Sequence, residues 1–341
     1  MTIIGNGKRF EKVVFNSESE FEEDIVSSSN MLFGNKIIFI NPKKKIESKS
    51  LGGVIPDGFF FDFNDPTDPQ FYIVEVELIS HSFFNHVFPQ ITKFFAFYKN
   101  VKIQKSLVDK LFSVINNDNQ LKSAFRKFLG NSEIYKFLSD IIESSQNILL
   151  IADGNFNELQ EITDTYTDTW GKLVKFIEIA KYKSLNDYIY TISPDFDTIQ
   201  YFEAQIIPEE DSLNEGIIYT EDFHLEGASE ETKSLYHRIK EITLEIDSDL
   251  IFNPQKYYIS IRGVKNIAYI KIRKKKIRFV AMLPESEIKS ITHYYSVAPL
   301  SQSVQDFYNG PCAAINFTDS SHEDEISMIL NKLINNFKTL E

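Results

Sequence analysis

Asp57, Glu75 and Glu77 are the residues of this chain whose types and spacing point most directly to chemistry. Glu75 and Glu77 lie two apart in the run Phe71–Leu78. In an extended strand that spacing puts both carboxylates, with Ile73, on one face, and Tyr72, Val74, Val76 and Leu78 on the other. Asp57 precedes a second extended run, Gly58–Phe63, and the connection Asn64–Gln70 carries two prolines and two aspartates, the chemistry of a hairpin loop. A hairpin brings Asp57 close to Glu75. Three carboxylates at one sheet edge repel one another unless a cation lies between them, and an all-oxygen donor set suits Mg2+ or Mn2+.

The flanking elements must hold these residues in place. Ser17–Ser28 reads as a helix with Ser17 as N-cap and Glu20 three residues on. Lys36–Ile40 reads as a short buried strand, followed by Asn41-Pro42 and the basic loop Lys43-Lys44-Lys45. Beyond the hairpin, Phe83, Val87, Ile91, Phe94 and Phe95 recur at helical spacing through Ser82–Tyr98, with Pro89 implying a kink or a late start. His81 and His86 stand near this helix five residues apart, not the four of a helical zinc pair, and are read as hydrogen-bonded structural residues. Residues 101–146 read as two or three amphipathic helices, an insertion or a cap. Asn147–Ala152 is a buried strand closed by an Asp153-Gly154 turn. A helix over Asn157–Trp170 and strands over Lys172–Tyr182 and Tyr188–Ile192 complete the unit.

Pro56-Asp57, the Glu75-Val76-Glu77 triplet after a hairpin, and the helix carrying Gln90 together resemble the PD-(D/E)XK, or restriction-endonuclease-like, nuclease superfamily. The resemblance covers residues 15–100 most closely. It implies an α/β (α+β) core with a mixed central sheet flanked by helices, and Mg2+ or Mn2+ held by Asp57 and Glu75. It also implies a further acidic ligand from the first helix, for which Glu22 is the first choice, and a glutamine, Gln90, facing the site. The lysine that usually stands two residues after the second acid is Glu77 here, which some members share. On this reading Glu77 binds a second ion or orients the attacking water.

Lys+Arg number 36 against 49 Asp+Glu, a net charge of −13. The imbalance lies wholly in residues 1–223, because 224–341 carry equal numbers of each sign. A chain of 341 residues with 43% hydrophobic and 14% aromatic content can bury two cores. The expected division is a nuclease-like domain over 1–195, a linker over 196–227 and a smaller α+β domain over 228–341. A single cysteine, Cys312, excludes an internal disulfide and a cysteine-based zinc site. No apolar run approaches the roughly 18 residues of a membrane span, and the first ten residues lack a signal-peptide core, so a cytoplasmic location and no membrane partner are expected.

In the C-terminal part, Glu230–Ile246 reads as a helix, Tyr257–Ile261, Ala268–Ile272 and Ile277–Leu283 as strands, and Ser327–Phe337 as a closing helix. Lys271, Arg273, Lys274, Lys275, Lys276 and Arg278 form the densest basic stretch of the chain. The runs FNPQKYYISIRG, IAYIKIRKKKIRF and YYSVA resemble a small α+β domain described as a predicted transport protein and often fused to such nucleases. The expected function is a metal-dependent DNA endonuclease of the restriction or phage-defence kind. Its DNA backbone would be held by the basic hairpin and by Lys93, RNA being an alternative substrate and a homodimer or higher oligomer an expected assembly. The rival expectation is a nuclease fold that no longer cuts and serves in binding, sensing or protein interaction.

Overall fold

The computed structural model describes residues 2–41, 55–166, 169–199, 219–255 and 258–338. The chain divides into two units, Met1–Ile199 and Gln200–Glu341. In the first, β1 (Thr2–Gly5) and β2 (Lys8–Lys12) form a hairpin whose turn residues, Asn6 and Gly7, have φ of 50° and 70°. Asn-Gly is the pair that tolerates two successive left-handed residues. Helix α1 (Glu18–Phe33) follows, capped as expected by Ser17, which accepts from the Glu20 N–H at 3.2 Å. Glu20 in turn accepts from Asn16, one residue before the cap, at 2.9 Å. Then come β3 (Ile37–Ile40), β4 (Gly58–Asp62) and β5 (Gln70–Glu77), an antiparallel meander.

The expected helix over Ser82–Tyr98 splits in two. A π-helical turn, Phe83–Val87, precedes α2 (Phe88–Tyr98), and Pro89 sits in the first turn of α2, where its missing N–H costs nothing. The 101–146 stretch forms α3 (Val101–Asn117), α4 (Asn119–Leu129) and α5 (Ile134–Ser144). Strand β6 (Asn147–Ala152) runs parallel to β5 and is itself followed by α6 (Glu158–Thr165), α7 (Trp170–Leu173), β7 (Val174–Ser184) and β8 (Asp187–Ser193). Among the described residues the sheet has eight strands in the order β1-β2-β7-β6-β5-β4-β3, with β8 also paired to β7.

The sheet is buried on both sides. Phe59, Phe61, Phe71, Ile73, Ile148 and Leu150 pack with α2–α5, and Phe60, Tyr72, Val74, Val76, Leu149 and Ile177 pack with Phe21 and Ile25 of α1. Alternation along each strand therefore serves two apolar layers, and every residue of β5 is buried, Glu75 and Glu77 included. Gly58 is forced by this packing, because a Cβ there would stand 2.0 Å from the Phe39 ring.

The second unit comprises α8 (Glu221–Leu225), α9 (Glu230–Ile246), β9 (Ile251–Pro254), β10 (Ile259–Arg262), β11 (Asn266–Ile272), β12 (Ile277–Ala281), α10 (Glu285–Lys289), β13 (Ser296–Pro299), α11 (Gln302–Phe307), β14 (Ala313–Phe317) and α12 (Glu323–Lys338). Its strands form an antiparallel sheet, β13-β14-β12-β11-β10-β9, with α9 and α12 on the face lined by Ile259, Ile270, Phe279 and Ile315. The expected linker is shorter than 196–227. Phe196 and Ile199 belong to the first core and Leu225 to the second, while 200–218 and the Lys43–Lys45 loop lie outside the described residues. Among the described residues no helix is long and apolar enough to cross a membrane.

Candidate functional site

The β4–β5 register ends with Gly58 opposite Val74, and the Asp57 N–H, one residue out of that register, also reaches the Val74 carbonyl at 3.0 Å. Asp57 thus stands just before β4, beside the Val74–Val76 segment that carries Glu75. Both are 3% exposed. The Asp57 side chain is fixed by the Val76 N–H, which donates to its Oδ2 at 2.8 Å. Glu77 follows on the same face at the end of β5 and is fully buried. Glu75 and Glu77 thus share one face of β5, as their spacing requires, with Asp57 close enough for its charge to act on Glu77. Their oxygens do not close into a single cluster, because Glu77 turns toward a different set of partners.

Those partners are His81, His86 and Glu18. His81 Nδ1 lies 3.0 Å from Glu77 Oε2 and 3.2 Å from Glu18 Oε2. His86 Nε2 lies 3.3 Å from Glu77 Oε1 and 3.6 Å from Glu18 Oε2. One donor atom from each of the four side chains falls within 4.8 Å of all the others, and among the described residues this is the group that could hold a metal ion. The local sequence explains the convergence. His81 lies in the bend after β5 and His86 within the π turn; extended Ser82 joins them (φ −67°, ψ 118°), the His86 N–H donates to the Ser82 carbonyl at 2.9 Å, and the bonds of the π turn span five residues. The Phe88 N–H accordingly reaches the Phe83 carbonyl, and the two imidazole centroids stand 4.9 Å apart. Phe83 anchors the turn against Trp170 and Phe156, and Phe88 stacks on Trp170 at 5.1 Å. Glu18 arrives from the first turn of α1.

Burial pushes the Glu77 carboxyl up to about 7 from 4.5, opposed by its hydrogen bond to His81 and reinforced by the charges of Glu18 and Asp57. Two atoms of this group bear the marks of unfinished bonding. Glu77 Oε1 and His86 Nε2 are sealed from solvent, and neither makes a hydrogen bond among the described residues. The side-chain oxygen of Gln90, on α2, is likewise buried and without a hydrogen-bond partner there.

The remaining expected residues distribute unevenly. Glu22 is 7% exposed on α1, one turn beyond Glu18, but Glu18 is the acid of that helix that joins Glu77. Lys93 is exposed on α2. Lys175, a buried lysine of β7, does not stand in for the lysine replaced by Glu77, since its register with Leu149 and Val74 puts it on the opposite face. Sequence reading preferred Glu22 on this helix and took His81 and His86 as hydrogen-bonded structural residues. The signal available there was the coincidence of two histidines with Glu77 just past a strand end.

In the second unit the basic stretch is divided by its own register. Lys271 and Arg278 face each other across β11 and β12 and are 9% and 3% exposed, so they do not extend an open basic surface. Lys274 and Lys275 are exposed, with Arg273 and Lys276 half-buried. The turn is docked onto α9, because the Ser229 N–H and the Thr232 hydroxyl both donate to the Lys274 carbonyl, at 2.8 and 3.2 Å.

Comparison with known proteins adds a boundary and a relative, not an activity. The family described as "Domain of unknown function (DUF5655)" matches residues 221–302, from the start of α8 to the first residue of α11. The chain is similar to an uncharacterized protein of Haemophilus influenzae (strain ATCC 51907 / DSM 11121 / KW20 / Rd), 24% identical over 188 residues. That match covers 54% of this chain and 60% of the relative, so the chain spans less than two thirds of that protein's length. No solved structure matches.

Proposed function

We propose that this protein is a metal-dependent endonuclease that hydrolyses phosphodiester bonds in DNA. The observation that carries the reading is that buried Asp57, held by the Val76 N–H at the start of β4, stands beside the end of β5 that carries Glu75 and Glu77 on one face. The order of elements agrees with the resemblance to PD-(D/E)XK nucleases: a helix, an antiparallel meander whose third strand bears the acids, a helix, and a strand parallel to the third. The donor chemistry fits a hard divalent ion, since Asp57 and Glu75 offer carboxylate oxygens. Asp57 and Glu75 would hold Mg2+ or Mn2+, which when bound polarises a phosphate and makes its water acidic enough to attack.

The protein's own contribution is positional. The Val76 N–H orients Asp57, the fully buried strand fixes Glu75, and Glu77, two residues on, would hold a second ion beside them. DNA would be held at phosphates by Lys274 and Lys275, with Arg273 and Lys276 beside them, and by Lys93 near Gln90. The C-terminal likeness to a predicted transport protein domain carries no transport role in this reading.

A second reading, a nuclease fold that binds without cutting, is favoured by one feature: Glu77, in the lysine position, is engaged by His81. One experiment separates the two. Purified protein is incubated with plasmid, linear duplex, single-stranded DNA and RNA in Mg2+ or Mn2+, with EDTA as control. Metal-dependent cutting of DNA is expected. DNA binding with no cutting in either ion would leave the second reading, and neither binding nor cutting would end both.

A further inference from the structure

We propose that Glu18, Glu77, His81 and His86 form a binding site for one divalent transition-metal ion, distinct in ligands and in preferred ion from the Asp57–Glu75 pair. Three observations meet here. The first is donor chemistry: two imidazole nitrogens with two carboxylates favour an ion of the Mn2+ to Zn2+ series over Mg2+, which prefers oxygen and water.

The second is spacing. Such ions hold nitrogen and oxygen donors at about 2.1 Å, so adjacent donors around one ion lie about 3.0 Å apart in an octahedron and about 3.4 Å apart in a tetrahedron. The four nitrogen–oxygen separations are 3.0, 3.2, 3.3 and 3.6 Å. These are separations of neighbouring donors, counting both Glu77 oxygens, and side chains from the start of α1, the end of β5, the bend after it and the π turn bring one donor atom each within 4.8 Å of all the others.

The third observation separates a metal site from an ordinary ion pair. A shared proton accounts for His81 Nδ1 and Glu77 Oε2, which make a hydrogen bond. It does not account for Glu77 Oε1 and His86 Nε2. These atoms are buried and 3.3 Å apart, yet neither makes a hydrogen bond among the described residues. Buried polar atoms of native proteins are seldom left so, and an ion accepting a lone pair from each satisfies both at once. Access is open from one side, because the side chains of Glu18, His81 and His86 are 29%, 33% and 44% exposed while Glu77 forms the floor.

This site stands on its own donors and does not depend on the nuclease reading. Its test uses binding, not cleavage. Untagged full-length protein is stripped with chelator, dialysed and titrated with Co2+ while its visible absorption is followed. One equivalent of Co2+ should bind with the bands of an imidazole-ligated ion, be displaced by Zn2+, and resist an excess of Mg2+. The double variant His81→Ala/His86→Ala should weaken Co2+ binding by more than about 100-fold, beyond what losing a supporting partner costs, with circular dichroism confirming its fold. Asp57→Ala should leave the Co2+ spectrum in place, which separates this site from the Asp57–Glu75 pair. Wild-type protein that takes up no Co2+, or a spectrum unaltered in the double variant, would overturn the proposal, the first without reference to any variant.

Discussion

The buried carboxylate at the end of β5 gives the sharpest physical prediction. Glu77 is fully buried, with its carboxyl pushed up to about 7 from 4.5 by burial and by the neighbouring Glu18 and Asp57. The folded protein therefore keeps a proton that the unfolded chain has released over this interval. Stability falls as pH rises from about 4.5 to about 7, and the full penalty is present above that. At about 1.4 kcal/mol per tenfold change in proton affinity, the raised value corresponds to about 3 kcal/mol of destabilisation above pH 7. Glu77→Gln abolishes the charge but weakens the bond to His81, a loss of about 1 kcal/mol. The variant should then be more stable than wild type by about 2 kcal/mol at pH 8, a rise of about 4–8 °C in Tm. At pH 5, where wild-type Glu77 is already protonated, it should gain nothing. Thermal denaturation at pH 5, 6, 7 and 8 in the presence of chelator measures this. Parallel pH profiles for the two proteins, or a wild type that gains stability relative to the variant as pH rises, would refute the reasoning.

Further outcomes follow from other parts of the molecule. Gly58→Ala must push the Phe39 ring from its place, since the new Cβ would stand 2.0 Å from it, and should lower stability by about 1–3 kcal/mol in denaturant titration. If Lys274 and Lys275 touch phosphates, Lys274→Ser/Lys275→Ser should flatten the slope of log DNA affinity against log salt by about two, and an unchanged slope would leave them as surface residues. Phe83→Ala removes the ring that anchors the π turn to Trp170 and Phe156. It should cost about 3–5 kcal/mol of stability by denaturation, and weaken Co2+ uptake even though Phe83 bears no donor atom.

The strands and helices with strong periodic patterns were legible in sequence. Asn147–Ala152 and Glu230–Ile246 form the elements expected over those same residues, because one is an uninterrupted apolar run and the other a clean 3.6-residue stripe behind a serine cap. The shared face of Glu75 and Glu77 was legible for the same reason, since a strand has only two faces. What depended on partners distant in sequence was not. The β1–β2 hairpin hides in a charged stretch, with Phe10 as the buried residue of Lys8–Lys12, although Asn6-Gly7 announces its turn. The meeting of Glu18 with His81 and His86 depends on how α1 lies against the end of β5, which no local spacing encodes. The basic stretch misled in another way: counting lysines and arginines cannot tell that Lys271 and Arg278 pair across the ladder and are buried.

The proposed activity rests on Asp57 and Glu75 acting together at one strand end. The most direct measurement is cleavage of supercoiled plasmid in Mg2+ or Mn2+ by wild-type protein, by Asp57→Ala and by Glu75→Ala, with Tm recorded for each. Wild type should nick or linearise the plasmid only when metal is present, and both variants should lose that activity while remaining folded. Cleavage that survives in either folded variant would place the catalytic centre elsewhere and contradict the account.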